Sequence, residues 1–230
     1  MIVPLLVICL ALTIPGHVAA EWAFDIYGGA TTGNINMDVQ IGNAAGTFDG
    51  LDTDTRFTGG ARAGYWFSSL PFFGVGLDVF YMEPDIKDQQ VSSGALTGQL
   101  FQMDIRTIGI GFDVVKLRVP LAVSDKFPHG RIQPSLALGP ALFVSEMKDT
   151  SNFNPPNQSQ SDTRVGFKGN AGATLMLTKT IGLFAEYRFT YYQVDAPFSI
   201  TGPLPGTINV GTSSDLMMHA AIGGITFRLE

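Results

Sequence analysis

Several stretches of this sequence alternate strictly between apolar residues and small or polar residues. In the stretch 73–81, one parity holds Phe73, Val75, Leu77, Val79 and Tyr81, while the other holds Gly74, Gly76, Asp78 and Phe80. The pattern returns in 57–67, 132–144, 165–177 and 181–191, where the apolar parity contains no charged residue. Because successive side chains of a β-strand point to opposite faces, each stretch predicts a strand with one apolar face and one mixed face.

The mixed faces decide between two kinds of sheet protein. A soluble β-sandwich turns its apolar faces into a core between two sheets. Here the mixed faces carry charges of both signs together with Gly and Asn, which indicates that they line an interior. The apolar faces then point outward into lipid, and the sequence predicts an all-β protein, a closed antiparallel transmembrane β-barrel.

The N-terminus indicates export. An apolar run over 2–14 is followed by small residues that end at Val18-Ala19-Ala20. This arrangement is typical of a secretory signal peptide that is cleaved before Glu21. The run is too short to be a membrane anchor, since a spanning helix needs about 20 apolar residues. We therefore expect a signal peptide over 1–20 and a single outer-membrane barrel domain over 21–230.

Charge and cysteine content exclude several function classes. The chain has 14 basic and 20 acidic residues and a net charge of −6, which argues against binding to nucleic acid. Its single cysteine, Cys9, lies in the predicted signal peptide, so we expect no disulfide and no thiol site in the mature chain.

About eight stretches are predicted to be strands: 22–31, 55–67, 72–82, 99–119, 130–145, 164–178, 180–196 and 214–229. Their connections alternate in length. Short ones at 68–71, 120–130 and 178–180 alternate with long ones at 32–54, 83–98, 146–163 and 197–213. Short turns on one rim and long loops on the other are typical of outer-membrane barrels, with the short turns periplasmic and the long loops extracellular.

Three segments resemble the small outer-membrane β-barrel superfamily, the OmpA-, OmpX- and OmpW-like proteins of Gram-negative bacteria. They are the strand Trp22–Ala30, the segment Pro134–Ala141 and the C-terminal strand, which contains Gly224-Ile225-Thr226-Phe227-Arg228-Leu229. The last of these is similar to the terminal assembly signal of such proteins, although the chain ends in Glu230 instead of an aromatic residue. The resemblance implies an integral location in the bacterial outer membrane, contact with its lipid and lipopolysaccharide, and recognition of the last strand by the barrel assembly machinery.

Eight charged residues share the parity that is predicted to face inward. They are Asp25, Arg62, Asp78, Asp104, Arg106, Lys168, Glu186 and Arg188. A lumen of about eight strands is only wide enough to be filled by its own side chains, so these charges are expected to pair. The tight turn at 68–71 places Arg62 opposite Asp78. We interpret the set as a structural network that fills the barrel, with a gated polar path for small solutes as the alternative.

The sequence contains few candidates for a catalytic or metal-binding site. His219 follows Asp215 by four residues, which on a strand separates them by about 13 Å, and Asp49, Asp52 and Asp54 do not match a calcium loop. We expect no catalytic residue, no cofactor and no metal site. The facing of strands 99–119 and 214–229 stays open, because each shows apolar residues on both parities; a bulge near Gly223 would reconcile the second.

The sequence leaves three functions open. The first is a non-enzymatic protein with an envelope-structural role, or a surface-interaction role through its extracellular loops. The second is a narrow channel for small or hydrophobic molecules, as the OmpW-like relatives suggest. The third, which the lack of a close His-x-Ser arrangement disfavours, is an enzyme that modifies lipid A.

Overall fold

The computed structural model describes residues 20–41, 44–91, 99–149, 159–201 and 207–229. The predicted signal peptide lies outside these residues apart from Ala20. The described part of the chain has no helix with the length and apolarity of a membrane span.

The described residues form ten strands. They are β1 (Glu21–Ile41), β2 (Ala44–Asp52), β3 (Arg56–Trp66), β4 (Phe73–Met82), β5 (Ile86–Val91), β6 (Gln99–Arg118), β7 (Ile132–Asp149), β8 (Ser159–Met176), β9 (Ile181–Thr201) and β10 (Thr207–Leu229). All pairings between them are antiparallel.

Eight of these strands close the predicted barrel. Their order is β10-β9-β8-β7-β6-β4-β3-β1, and pairing of β1 with β10 completes the cylinder. The two remaining strands lie at the extracellular end, where β2 pairs with the upper part of β1 and β5 with the upper part of β6. Among the described strands, β2 and β5 have no hydrogen-bonded ladder between them. One backbone hydrogen bond, from Asp54 N to Asp85 O at 2.9 Å, joins the segments that follow β2 and precede β5.

The predicted outward parity is confirmed around the barrel. Leu77 on β4, Phe167 on β8 and Leu183 on β9 are exposed on the outer surface, and they belong to a continuous apolar band. Aromatic rings gather on this surface at the periplasmic rim, where Trp22 and Tyr65 have centroids 5.0 Å apart. Such a band with aromatic residues at its edge is the surface that a membrane-spanning barrel presents to lipid.

The predicted strands were too short at the extracellular end. Much of the segments expected to be long loops is strand, since β1 continues to Ile41, β9 to Thr201, and β10 begins at Thr207. Above the lipid a strand needs no apolar outer face, so the alternation that marks the membrane-spanning parts fades while the backbone pairing continues.

The two strands of uncertain facing have different explanations. β10 pairs with both neighbours without a register shift, so the bulge suggested near Gly223 does not exist. Its apolar residues of both parities are accommodated because Leu216, Met218 and Ile222 fill the lumen, while Phe227 faces lipid. In β6 the apolar residues occur on both parities because the strand has an irregularity: its pairing register with β7 shifts between Gly111 and Val115.

Candidate functional site

The lumen is the candidate functional site, and its centre is the buried carboxylate of Asp78 on β4. Oδ2 of Asp78 accepts hydrogen bonds from Lys168 Nζ at 2.7 Å and from Arg188 Nη2 at 2.8 Å, and Oδ1 accepts one from the Tyr27 hydroxyl. Lys168 also lies 2.8 Å from a carboxylate oxygen of Asp113. These side chains come from five different strands, so their ion pairs hold the barrel wall together across the lumen.

A second group surrounds Arg62 on β3. Its Nε donates to Asp25 at 2.9 Å, and its Nη2 donates to both oxygens of Glu186 at 3.0 Å. The register places Arg62 directly opposite Asp78, as the turn at 68–71 predicts. The predicted contact between these two is replaced, however, because Arg62 bonds to Asp25 on the neighbouring strand β1 and to Glu186 on β9, while Asp78 bonds to Lys168 and Arg188 from β8 and β9.

Six of the eight predicted interior charges therefore lie in the lumen: Asp25, Arg62, Asp78, Lys168, Glu186 and Arg188. For Asp104 and Arg106 the prediction is wrong, since both are exposed on the outer surface of β6. The register shift after Gly111 reverses the parity of the strand, so residues on either side of it cannot be assigned by one alternation. In the strand register, Asp104 lies opposite position 148 of β7 and Arg106 opposite position 146.

The periplasmic end of the lumen holds charges that the sequence reasoning missed. Glu21 accepts a hydrogen bond from Arg118 Nη1 at 2.8 Å and lies 3.2 Å from both Arg228 Nη1 and His129 Nδ1. The guanidinium of Arg118 also lies over the Trp66 ring, 4.3 Å from its centroid. Arg118 has the same parity as Asp104 and Arg106, so the alternation predicted for this strand was itself a signal for an inward Arg118.

The extracellular half of the lumen is apolar. Phe80, Phe143 and Tyr192 meet there, and the rings of Phe143 and Tyr192 are stacked with centroids 4.1 Å apart. The Thr107 hydroxyl lies 2.9 Å from that of Ser145 and 3.2 Å from that of Tyr192. The surrounding side chains include Ile35, Met37, Leu51, Met82, Ile105, Met147, Val194, Leu216 and Met218, all buried. Among the described residues, the fully buried charged side chains therefore lie in the periplasmic and central parts of the lumen.

The histidine considered for acid–base chemistry lies outside the lumen. His219 sits on the outer face of β10, where its Nδ1 is hydrogen-bonded to the Tyr187 hydroxyl. Asp215 is held by Gln193 Nε2 at 2.8 Å and by the Tyr191 hydroxyl at 3.3 Å, so its hydrogen bonds do not orient His219. The pair does not form the aligned base and carboxylate of a catalytic triad.

Acidic residues at the extracellular rim are engaged in local contacts. Arg56 Nε lies 3.1 Å from Asp85 Oδ2, and Asp85 Oδ1 accepts a hydrogen bond from the Ile105 backbone N–H at 3.0 Å. Burial raises the pKa of Asp85 above its ordinary value, and the nearby Asp104 carboxylate adds to this, although the Ile105 N–H acts in the opposite direction. Asp54 forms an ion pair with Arg56 at 3.3 Å. These contacts fasten the base of β2 and β5 to β6.

The architecture and the sequence agree on a family. A family model described as the outer membrane protein beta-barrel domain matches residues 6–213. The chain belongs to this family. It is an integral outer-membrane protein of the kind found in Gram-negative bacteria. No curated protein sequence matches the chain.

The chain is similar to several solved structures of outer-membrane proteins at low sequence identity. The outer membrane protein OprG from Pseudomonas aeruginosa is 17% identical, with a TM-score of 0.57, and the match covers 94% of this chain and 98% of OprG. Neisserial surface protein A is 13% identical with a TM-score of 0.40, covering 90% of this chain and 99% of the other. The attachment invasion locus protein Ail of Yersinia pestis is 11% identical with a TM-score of 0.35, covering 90% and 98%. The likeness to OprG supports the barrel fold alone.

Proposed function

We propose that this protein is a closed, non-enzymatic outer-membrane barrel with an envelope-structural or surface-interaction role. The observation that carries the proposal is the buried network around Asp78 and Arg62, which crosses the lumen at its centre. Breaking such a network to admit ions would separate desolvated charges, and each unpaired buried charge is costly. The apolar side chains above the network add a second layer that hydrated ions do not enter.

The proposed surface role is supported by the strands that extend beyond the lipid band. At their extracellular ends these strands carry charged side chains in defined contacts, such as Arg164 with Asp162 at 2.9 Å. Arg164 also forms an ion pair with Asp195 of β9. A rigid β-structure that displays charged groups outside the membrane is suited to contact with lipopolysaccharide or with an external partner.

A bilayer measurement tests whether the barrel is closed. Refolded protein inserted into planar bilayers should give no stepwise conductance, because the charge network leaves no continuous aqueous path. Insertion is verified in the same preparation by the different gel migration of boiled and unboiled protein. Steady single-channel steps that scale with the number of inserted barrels would contradict the proposal.

We also propose that the barrel assembly machinery inserts this protein into the outer membrane. The assembly machinery would recognise the last strand, β10, whose outer face carries Ile225, Phe227 and Leu229. The same strand closes the barrel against β1, from Trp22 opposite Leu229 to Ile41 opposite Val210. No chemistry at His219 enters the proposal, since its ring nitrogen is engaged with Tyr187 on the outer surface.

The apolar extracellular half of the lumen favours a second candidate, a conduit for small apolar molecules. The apolar cluster in this half contains Met37, Met82, Met147 and Met218, and it is adaptable because thioether side chains repack with little cost. The missing ladder between β2 and β5 leaves the wall of this half without continuous backbone pairing. An apolar molecule that enters from outside would meet no desolvated charge before the Asp78 layer.

Uptake by whole cells tests the conduit. If it operates, expression of the protein should raise the uptake rate of the apolar dye N-phenylnaphthylamine. Ala141→Trp, which adds a large ring to a buried position of the apolar cluster, should remove that increase. Thr163→Trp, on the exposed outer face of β8, is the matched control. Equal uptake with and without the protein would reject the conduit and leave the closed barrel.

A further inference from the structure

The charges in the lumen do not balance. Among the described residues, the buried carboxylates are five: Glu21, Asp25, Asp78, Asp113 and Glu186. The buried cations are six: Arg62, Lys116, Arg118, Lys168, Arg188 and Arg228. An interior with one surplus cation requires a counter-charge, because an uncompensated buried charge is strongly unfavourable.

Lys116 on β6 is the cation without a carboxylate partner. Each of the other five lies within 3.2 Å of a carboxylate oxygen. Among the described residues, no carboxylate oxygen lies within 4.0 Å of Lys116 Nζ. The ammonium group instead lies over the Trp66 ring, 5.3 Å from its centroid. Lys116 is nevertheless buried.

A glycine makes room for this lysine. Gly64 on β3 lies opposite Gly76 on β4, so neither strand sends a side chain into the lumen at that level. A Cβ added to Gly64 would lie 2.9 Å from Lys116 Nζ, whereas one added to Gly76 would lie 3.1 Å from Asp113 Oδ2. Lys116 therefore occupies the space that Gly64 leaves open, and it borders a small chamber of about 10 Å³. That volume holds one particle of about the size of a water molecule.

Other donors without acceptors point to the same chamber. Trp66 Nε1 and Arg228 Nε are buried and have no hydrogen-bond partner in the described part of the chain. Both side chains line the chamber together with Lys116. Asp25 and Glu186 also border it, and both are bonded to Arg62, although Asp25 Oδ1 has no hydrogen-bond partner in the described part of the chain. These two carboxylates are outnumbered by the three cations that line the chamber, Lys116, Arg118 and Arg228. Buried polar groups in proteins are almost always partnered, so donors from β3, β6 and β10 that converge on one space indicate an acceptor there.

We propose that this chamber is a binding site for one small monovalent anion, of which chloride is the simplest example. Lys116 Nζ supplies the surplus positive charge, and Trp66 Nε1 and Arg228 Nε supply directed hydrogen bonds. The bound anion neutralises the lumen between the Glu21 group and the Arg62 group. The site does not depend on the proposed function, since a closed barrel and a conduit for apolar molecules would both contain it.

Fluorescence of Trp66 reports on the site directly. The chain has two tryptophans, so Trp22→Phe leaves Trp66 as the sole emitter. Because Trp66 is 2% exposed, dissolved halide cannot collide with it. Bromide titrated into the refolded barrel at constant ionic strength, with sulfate as the balancing anion, should quench its emission saturably. Added chloride should restore the emission.

Two lysine variants test whether the bromide quenching of Trp66 depends on Lys116. Lys116→Met in the same background should weaken bromide binding about tenfold or more, as expected for the loss of a charged hydrogen bond. Lys179→Met, in the exposed turn between β8 and β9, should leave the titration unchanged. Saturable quenching that survives Lys116→Met would overturn the proposal, as would quenching that rises linearly without saturation.

Diffraction tests the site without any variant. Crystals of the wild-type barrel soaked in bromide should show an anomalous peak beside Lys116, and this result does not depend on whether Lys116→Met folds. Density in the chamber without an anomalous signal would identify water alone and would overturn the anion site.

Discussion

Asp78→Leu is expected to lower the free energy of unfolding by about 3–5 kcal/mol. Among the described residues, Asp78 is the only carboxylate that pairs with Arg188 and one of two that pair with Lys168. The substitution removes it while both cations stay buried. It also removes the acceptor of the Tyr27 hydroxyl. Urea unfolding of the refolded barrel, followed by tryptophan fluorescence or gel migration, measures the loss. Asp54→Asn, at a half-exposed rim ion pair, is the control and should change stability by about 0–1 kcal/mol.

A double-mutant cycle distinguishes the pairing seen in the structure from the pairing that the strand register alone suggests. Arg188→Met combined with Asp78→Leu removes one positive and one negative charge that contact each other, and it leaves the Lys168–Asp113 contact intact. This double variant should recover a large part of the loss, with a coupling of about 0.5–3 kcal/mol.

Arg62→Met is the matched comparison in that cycle. Arg62 lies opposite Asp78 in the register but bonds to Asp25 and Glu186. Combined with Asp78→Leu, it should give losses that are close to additive, because the two side chains share no direct bond. A stronger coupling of Asp78 with Arg62 than with Arg188 would show that the contacts described here are wrong.

The barrel itself was predictable from the sequence because lipid imposes a simple rule on it. Every outward side chain in the band must be apolar, so β4 shows Val75, Leu77 and Val79 at alternate positions without interruption. The tight turn at 68–71 then fixes the register of β3 against β4, including the Arg62–Asp78 level. Both features depend only on local sequence, which is why they could be found without coordinates.

The contents of the lumen were less predictable, for two physical reasons. First, a bulge has no composition of its own, so a single alternation along β6 gave the wrong facing to Asp104, Arg106 and Asp113, which precede the end of the register shift. Second, the assumption that inward residues are polar fails in the extracellular half, where Leu216 and Met218 face inward. The choice of ionic partners could not be predicted either, because Arg62 and Glu186 are 124 positions apart in the sequence and meet only when the barrel closes.

The lipid face gives the second large effect. Leu77→Arg places a charge in the middle of the outward row of β4, where 44% of the leucine is exposed to the surroundings of the barrel. Near the bilayer midplane an outward arginine is expected to cost about 2–4 kcal/mol. The free energy of unfolding in lipid vesicles should fall by that amount, and Ala171→Arg on the outer face of β8 should behave alike. Gln193→Arg, exposed at the extracellular rim, should cost about 0–1 kcal/mol. Equal tolerance at all three positions would mean that the band around Leu77 does not face lipid.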